Sequence, residues 1–349
     1  MKLANKTAQF VPYQPITGEY RVRLDANESF LLPTESDREA MAAAAGAAAF
    51  NRYPDPLASE ACGAFAALYG VDPALVTAGN GSDELISVLL NAFADKGDAI
   101  LTLSPDFSMY AFYAAEAEAR CLTLDKRPDM TIDIDAVIDT VTRERVRMLL
   151  FSNPCNPTSL GVPREEMRRL LRACPDTLIV ADEAYMDFWD QSLLSEVTEY
   201  DNLIVLRTCS KALGLAALRL GFAVANPTLT GVLRAAKSPY NVNSVTQAMA
   251  TIILKNPLYR EEYGALLRAS RDMLLAGMKE LEAAEKLIRV YDSCTNFVYI
   301  ETDKAVMLAE ALADRGIAIR RFGDRHLRVT AGTEAENREV LAMFAFLLK

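Results

Sequence analysis

Histidine is nearly missing from this chain: His326 is the only one in 349 residues. A hydrolase built on a Ser-His-Asp or Cys-His pair would have to route every proton through it. It lies between arginines in RHLRVT, at a strand start, where a solvated or structural role is the ordinary one. Acid–base work is therefore expected of lysine, tyrosine, aspartate or a cofactor. The six cysteines (Cys62, Cys121, Cys155, Cys174, Cys209 and Cys294) contain no CxxC pair and, with one histidine, no zinc-ligand spacing. They read as buried, reduced thiols of a cytoplasmic protein. Positive charge is also short, with 37 Lys and Arg against 47 Asp and Glu, a balance of −10 that repels nucleic-acid phosphates and anionic membranes. The N-terminal stretch lacks the apolar run of a signal peptide. The longest charge-free stretch (238–254) is polar through its first half, so no membrane span is expected. Neither GxGxxG nor GxxxxGK[ST] occurs, which argues against nicotinamide or ATP binding.

What is present is a large globular core. Hydrophobic residues make up 51% of the chain, enough for two domains without disulfides. Short apolar runs, AILTLSP (99–105), MLLFSNP (148–154), TLIVADEAY (177–185), LIVLRTCSK (203–211) and LGFAVAN (220–226), alternate with helical patterns such as DELISVLLNAFA (83–94) and REEMRRLLRAC (164–174). Continuous apolar strands separated by helices predict an α/β fold, a doubly wound and mostly parallel sheet covered on both faces. After Pro239 a long helical region (about 244–284) leads to separate strands and helices, the pattern of a smaller α+β domain. The expected division is an N-terminal arm (1–30), a large domain (31–238) and a small C-terminal domain (239–349).

In such sheets ligands bind at the carboxyl ends of the strands. Those ends lead into Asn156, into Asp182 with Tyr185, and into Lys211. Taken singly, each is an ordinary strand end, helix cap or surface charge. Together they supply what pyridoxal 5′-phosphate (PLP) requires: an imine-forming lysine, a carboxylate for the pyridinium nitrogen, and donors (Asn156, Tyr185) for the phenolic oxygen. A phosphate cradle is expected at Gly79-Asn80-Gly81-Ser82, where glycines precede an amphipathic helix whose N-terminus favours an anion; a plain helix cap at Ser82 is the alternative. Thr208 and Ser210 add hydroxyls, and Arg219 a bidentate phosphate partner.

These residues together resemble the fold-type I PLP-dependent aminotransferases of class I/II, and within them most closely the histidinol-phosphate aminotransferase family. The likeness runs through VPYQP (11–15), RLDANES (23–29), NRYPDP (51–56), GNGSDE (79–84), SNPCNPTS (152–159), ADEAYMDF (181–188), RTCSKALGLAALRLG (207–221), SPYNVNS (238–244) and LRVTAGT (327–333), in the family's order. The resemblance implies that Lys211 is the Schiff-base lysine, that Asp182 pairs with the ring nitrogen, and that Asn156 and Tyr185 contact the phenolic oxygen. It puts Gly81, Ser82, Asp83, Thr208, Ser210 and Arg219 around the phosphate, with Phe107 stacked on the ring. Tyr53 would reach the phosphate of a neighbouring subunit's cofactor, implying a homodimer. Arg328 becomes the substrate-anion arginine, with Tyr13, Asn27 and Arg320 as further contacts, and no metal is implied. Two departures stand out: the usual NPTG reads Asn156-Pro157-Thr158-Ser159, with glycine delayed to Gly161, and Phe107 stands where tyrosine is common.

Five arginines (315, 320, 321, 325, 328) against Asp324 make a local excess of positive charge, as an anionic substrate would need. A solvated strand edge is the competing explanation for Arg315, Arg321 and Arg325. The expected reaction is amino transfer from histidinol phosphate to 2-oxoglutarate. A phosphothreonine-decarboxylase-like enzyme or an aromatic or other amino-acid aminotransferase is the alternative, because which bond breaks at Cα is geometric and no motif reports it. A non-catalytic PLP protein and a nucleotide-binding enzyme are the remaining readings.

Overall fold

The fold is that of a computed structural model, which describes residues 4, 6–7, 10, 15–285 and 287–349. Tyr13, expected at the substrate, lies outside them. Seven strands form the larger sheet: β2 (Val76–Gly79), β3 (Ala99–Ser104), β4 (Arg120–Asp125), β5 (Met148–Ser152), β6 (Leu178–Asp182), β7 (Leu203–Thr208) and β8 (Gly221–Ala225), in the order β2-β8-β7-β6-β5-β3-β4. Only β8 runs antiparallel to its neighbours. The apolar runs are continuous because alternate residues enter two different cores. Leu149, Phe151, Ile179 and Val205 pack on one face, and Met148, Leu150, Val180 and Ile204 on the other. Helices α2 (Ser59–Tyr69), α5 (Ile134–Glu144) and α6 (Arg164–Ala173) cover the first face; α3 (Ser82–Phe93), α4 (Met109–Glu116) and α7 (Pro227–Ala236) cover the second.

The smaller sheet has the order β1-β11-β12-β10-β9, from β1 (Val22–Leu24), β9 (Arg289–Val290), β10 (Phe297–Glu301), β11 (Ile317–Phe322) and β12 (His326–Thr330). Its core is closed by α10 (Ala305–Ala313), α11 (Glu334–Leu347) and the later part of α9 (Leu258–Glu285), through Leu274 and Met278. The two cores do not divide at Pro239. Helix α8 (Ser244–Leu254) buries Ala250, Ile253 and Leu254 in the large sheet's core, beside α1 (Glu35–Gly46), and Tyr259 of α9 follows them. Conversely, Val22–Leu24, expected in a patternless arm, pair in parallel with Ile317–Ile319. The helical pattern over 244–284 gave no sign of this, because it is broken only at 255–257 and is apolar enough for either core.

Candidate active site

A cleft of about 520 Å³ opens between the two sheets at the carboxyl ends of β5, β6 and β7. Ser152 pairs with Asp182 in the β5–β6 register, so the two strands end level, and the chain beyond each turns into the cleft. Asn156, Asp182, Tyr185, Lys211, Arg320 and Arg328 all line it. So do Asn27, Ser82, Asp83, Phe107, Ser210 and Arg219.

Asp182 is 4% exposed. Its Oδ2 accepts from the Tyr110 hydroxyl at 2.7 Å and its Oδ1 from the Ala184 N–H at 3.1 Å. Burial nevertheless pushes its carboxyl up to about 7, against the pull of those two donors. Lys211 is half-buried and donates to the Ala26 carbonyl at 2.9 Å. Burial, helped by the positive charge of Arg328, brings its amine down to about 8. Burial likewise holds the Tyr185 phenol at about 12, so it stays a donor at neutral pH while its oxygen accepts from Asn27 Nδ2 at 2.8 Å.

Residues on the second sheet close the cleft. Arg328, on β12 and 6% exposed, donates to Asn156 Oδ1 and to the Asp25 carbonyl. Its guanidinium carbon lies 5.3 Å from the Phe297 ring centre and 5.5 Å from that of Phe322, so the cation is held between aromatic faces. Arg320 stands opposite it in the β11–β12 register. The other three arginines of the cluster are exposed and point elsewhere: Arg321 pairs with Asp324 at 3.0 Å, Arg325 with Glu301 and Asp303, and Arg315 contacts Met343. His326 stacks on Tyr299 with ring centres 5.3 Å apart, outside the cleft lining.

At the other end of the cleft, Gly81 caps α3 with φ of 82°, so Ser82 is the first helical residue rather than its cap. A Cβ at Gly81 would lie 2.7 Å from Arg219 Nη2, and one at Gly221 would lie 2.4 Å from the Ser82 nitrogen. Glycine at both places lets β8 and the guanidinium approach the free N–H groups of the helix. Arg219 reaches Ser210 Oγ at 3.3 Å and the Asp83 carboxylate at 3.2 Å, and Thr208 Oγ1 bonds Ser210 Oγ at 3.0 Å. The Asp83 side chain is thus the partner of Arg219, leaving its backbone N–H as the group available to an anion.

Three features were missed or misread from sequence. Tyr110 drew no functional reading from the sequence, yet it holds Asp182; the signal was its place three residues after Phe107, with the two rings edge-on at 5.5 Å. Ser159 fills the place of the absent glycine by adopting φ of 64°, its Oγ donating to the Asp292 carbonyl at 2.7 Å, so the turn keeps its left-handed residue. Gly161 instead serves packing, because a Cβ there would lie 2.2 Å from the Trp189 ring. Tyr53 is 82% exposed, stacks on Tyr240 at 4.6 Å, and stands away from this chain's own cleft.

The donor set fits PLP. A buried carboxylate pushed up to about 7 gains a positive partner in a pyridinium N–H, and helix N–H groups beside Arg219 suit a phosphate dianion. The comparisons agree with this chemistry. The family model of aminotransferase class I and II matches residues 21–344. A histidinol-phosphate aminotransferase of Clostridium novyi is 38% identical, covering 95% of this chain and 93% of that protein. One from Clostridium kluyveri is 36% identical over 98% and 97%. The crystal structure of histidinol-phosphate aminotransferase from Sinorhizobium meliloti in complex with pyridoxal-5′-phosphate superposes with a TM-score of 0.87 at 24% identity, covering 99% of this chain and 97% of that one. The chain is a PLP-dependent transaminase: it belongs to the class I and II aminotransferases and, within them, to the histidinol-phosphate aminotransferase family.

Proposed function

We propose that this enzyme moves the amino group of histidinol phosphate to 2-oxoglutarate, acting in the cytoplasm as a homodimer. The observation that carries the substrate reading is the pair Arg328 and Arg320 opening on the same cleft as Lys211. Histidinol phosphate carries a phosphate and no α-carboxylate, and glutamate carries two carboxylates. A planar guanidinium accepts either anion, so one site serves both half-reactions. Six free cysteines accord with a reducing compartment. Exposed Tyr53, stacked on Tyr240, accords with a residue that serves a second subunit's site.

Within the site, Asp182 would hold the ring nitrogen protonated, with Tyr110 keeping that carboxylate oriented. Tyr185 and Asn156 would hold the phenolic oxygen, and Phe107 would cover one ring face. The N–H groups at Ser82 and Asp83, with Thr208, Ser210 and Arg219, would bind the phosphate. When bound, PLP supplies an electron-accepting ring for the electrons released as the Cα proton leaves. Lys211 Nζ takes that proton and returns it; an amine brought down to about 8 is closer to neutral pH than an ordinary lysine and therefore a better base there. Arg328 and Arg320 fix the distal anion, which sets which Cα bond faces the ring.

Initial rates with histidinol phosphate, histidinol, phosphothreonine and phenylalanine test the reading. Histidinol phosphate should be preferred, and loss of its phosphate should cost about tenfold or more in kcat/KM, the scale of a charge-assisted contact. Carbon dioxide release from phosphothreonine, or a preference for phenylalanine, would overturn it.

A further inference from the structure

Behind the cleft lies a group of buried polar side chains that the transamination chemistry does not use. Lys126, just past β4, and Cys155, in the loop after β5, approach to 2.7 Å between Nζ and Sγ. The lysine side chain is 1% exposed, and Cys155 is equally buried at 1%. Nζ also donates to the Pro105 carbonyl at 2.7 Å and stands 3.8 Å from Asp106 Oδ2. This separation is short for a sulfur acceptor and matches the span of one bridging atom. Both residues line a second cavity of about 370 Å³, separate from the cleft, which gives a small oxidant a route to the sulfur.

We propose that hydrogen peroxide joins Lys126 and Cys155 through one oxygen, Nζ–O–Sγ, as a reversible crosslink. One peroxide oxidises the thiol to sulfenic acid, its O–O bond breaking and water leaving. The Lys126 ammonium, whose pKa burial lowers but Cys155 and Asp106 raise on balance, first gives its proton to solvent, a loss favoured by alkaline pH. A second peroxide then converts the neutral amine to a hydroxylamine, again releasing water. The hydroxylamine oxygen then attacks the sulfenic sulfur, forming the O–S bond and expelling a third water. The net change is RSH + RNH₂ + 2 H₂O₂ → RS–O–NHR + 3 H₂O. Two equivalents of a dithiol reverse it, giving back thiol, amine and one water.

The crosslink would be felt in the cleft. It removes the ammonium opposite Asp106, whose carboxylate accepts from the Ser152 hydroxyl and from the Phe107 N–H at 2.8 Å. Ser152 Oγ in turn accepts from the Asn156 N–H at 3.1 Å. Two cleft-lining residues, Phe107 and Asn156, therefore hang on the charge balance of this knot.

PLP-loaded enzyme treated with hydrogen peroxide tests the proposal. Its intact mass should rise by about 14 Da, one oxygen gained and two hydrogens lost, whereas simple sulfenic oxidation adds about 16 Da. Peptide mapping should join the segments carrying residues 126 and 155, and activity should fall. Dithiothreitol should restore both mass and activity, and Cys155→Ala and Lys126→Arg should each abolish the crosslinked species. Peroxide products confined to Cys155 with an unmodified Lys126 peptide would overturn the proposal, as would a crosslink surviving in Lys126→Arg. The wild-type peptide map stands even if a variant folds poorly.

Discussion

Replacing Tyr110 by phenylalanine removes one atom, the hydroxyl that donates to Asp182 Oδ2 at 2.7 Å, and leaves the buried ring in place. A hydrogen bond to a charged group is worth about 1.5–3 kcal/mol, or roughly 10- to 150-fold in a dissociation constant. The whole of it should not appear at every pH. Without cofactor the Asp182 carboxyl titrates at about 7, whereas beside a pyridinium it stays ionised. At about pH 9 the ionised carboxylate enjoys the bond both with and without PLP, so the loss largely cancels. At about pH 6 the bound state alone needs it, and PLP binding should weaken by tenfold or more. Absorbance titration of both proteins with PLP across this range, expressed as a ratio of Kd values, removes ionisations common to both. A ratio near one at the acid end, or one that does not change with pH, would refute the assigned role of Tyr110.

Gly161→Ala should destabilise the fold by about 1–3 kcal/mol through overpacking against Trp189, visible as a lower urea midpoint; an equal or higher midpoint would contradict the contact. Arg328→Ala should raise KM for both histidinol phosphate and 2-oxoglutarate, with kcat/KM down by about a hundredfold from a lost charge-assisted pair. An unchanged KM for 2-oxoglutarate would break the shared-anion reading. In cofactor-free protein Asp182 is raised above its unfolded value of about 3.9, so the folded state binds the extra proton between the two values. Its contribution is therefore full below about pH 4 and lost as pH rises towards about 7. Unfolding of Asp182→Asn, compared with the parent, should lack that slope; parallel profiles would argue against a raised Asp182.

How far the sequence reaches depends on what kind of constraint places a residue. Lys211, Asp182 and Asn156 were legible because each follows a continuous apolar strand, and parallel strands in one sheet bring their carboxyl ends to one rim. Strand β4 left no such trace: it is the sheet edge, none of its residues is fully buried, and its two ends are the charged Arg120 and Asp125. The antiparallel direction of β8 is equally silent, because residues buried on both faces read the same in either direction. The arginine cluster was half informative. Charge counting found the excess, but only the register of β11 with β12 separates Arg320 and Arg328, which line the cleft, from the solvent-paired remainder. Ser159 shows the opposite limit: a side-chain hydrogen bond supports a left-handed residue where glycine was expected.

The reaction that defines this site is removal of the amino group of histidinol phosphate. Mixing PLP-loaded enzyme with histidinol phosphate, in the absence of any 2-oxo acid, isolates that half-reaction in the cofactor's absorbance. The pyridoxal band should convert completely to that of pyridoxamine phosphate, and 2-oxoglutarate should reverse the change. A band unchanged by histidinol phosphate, in protein whose cofactor borohydride fixes to Lys211, would contradict that reaction.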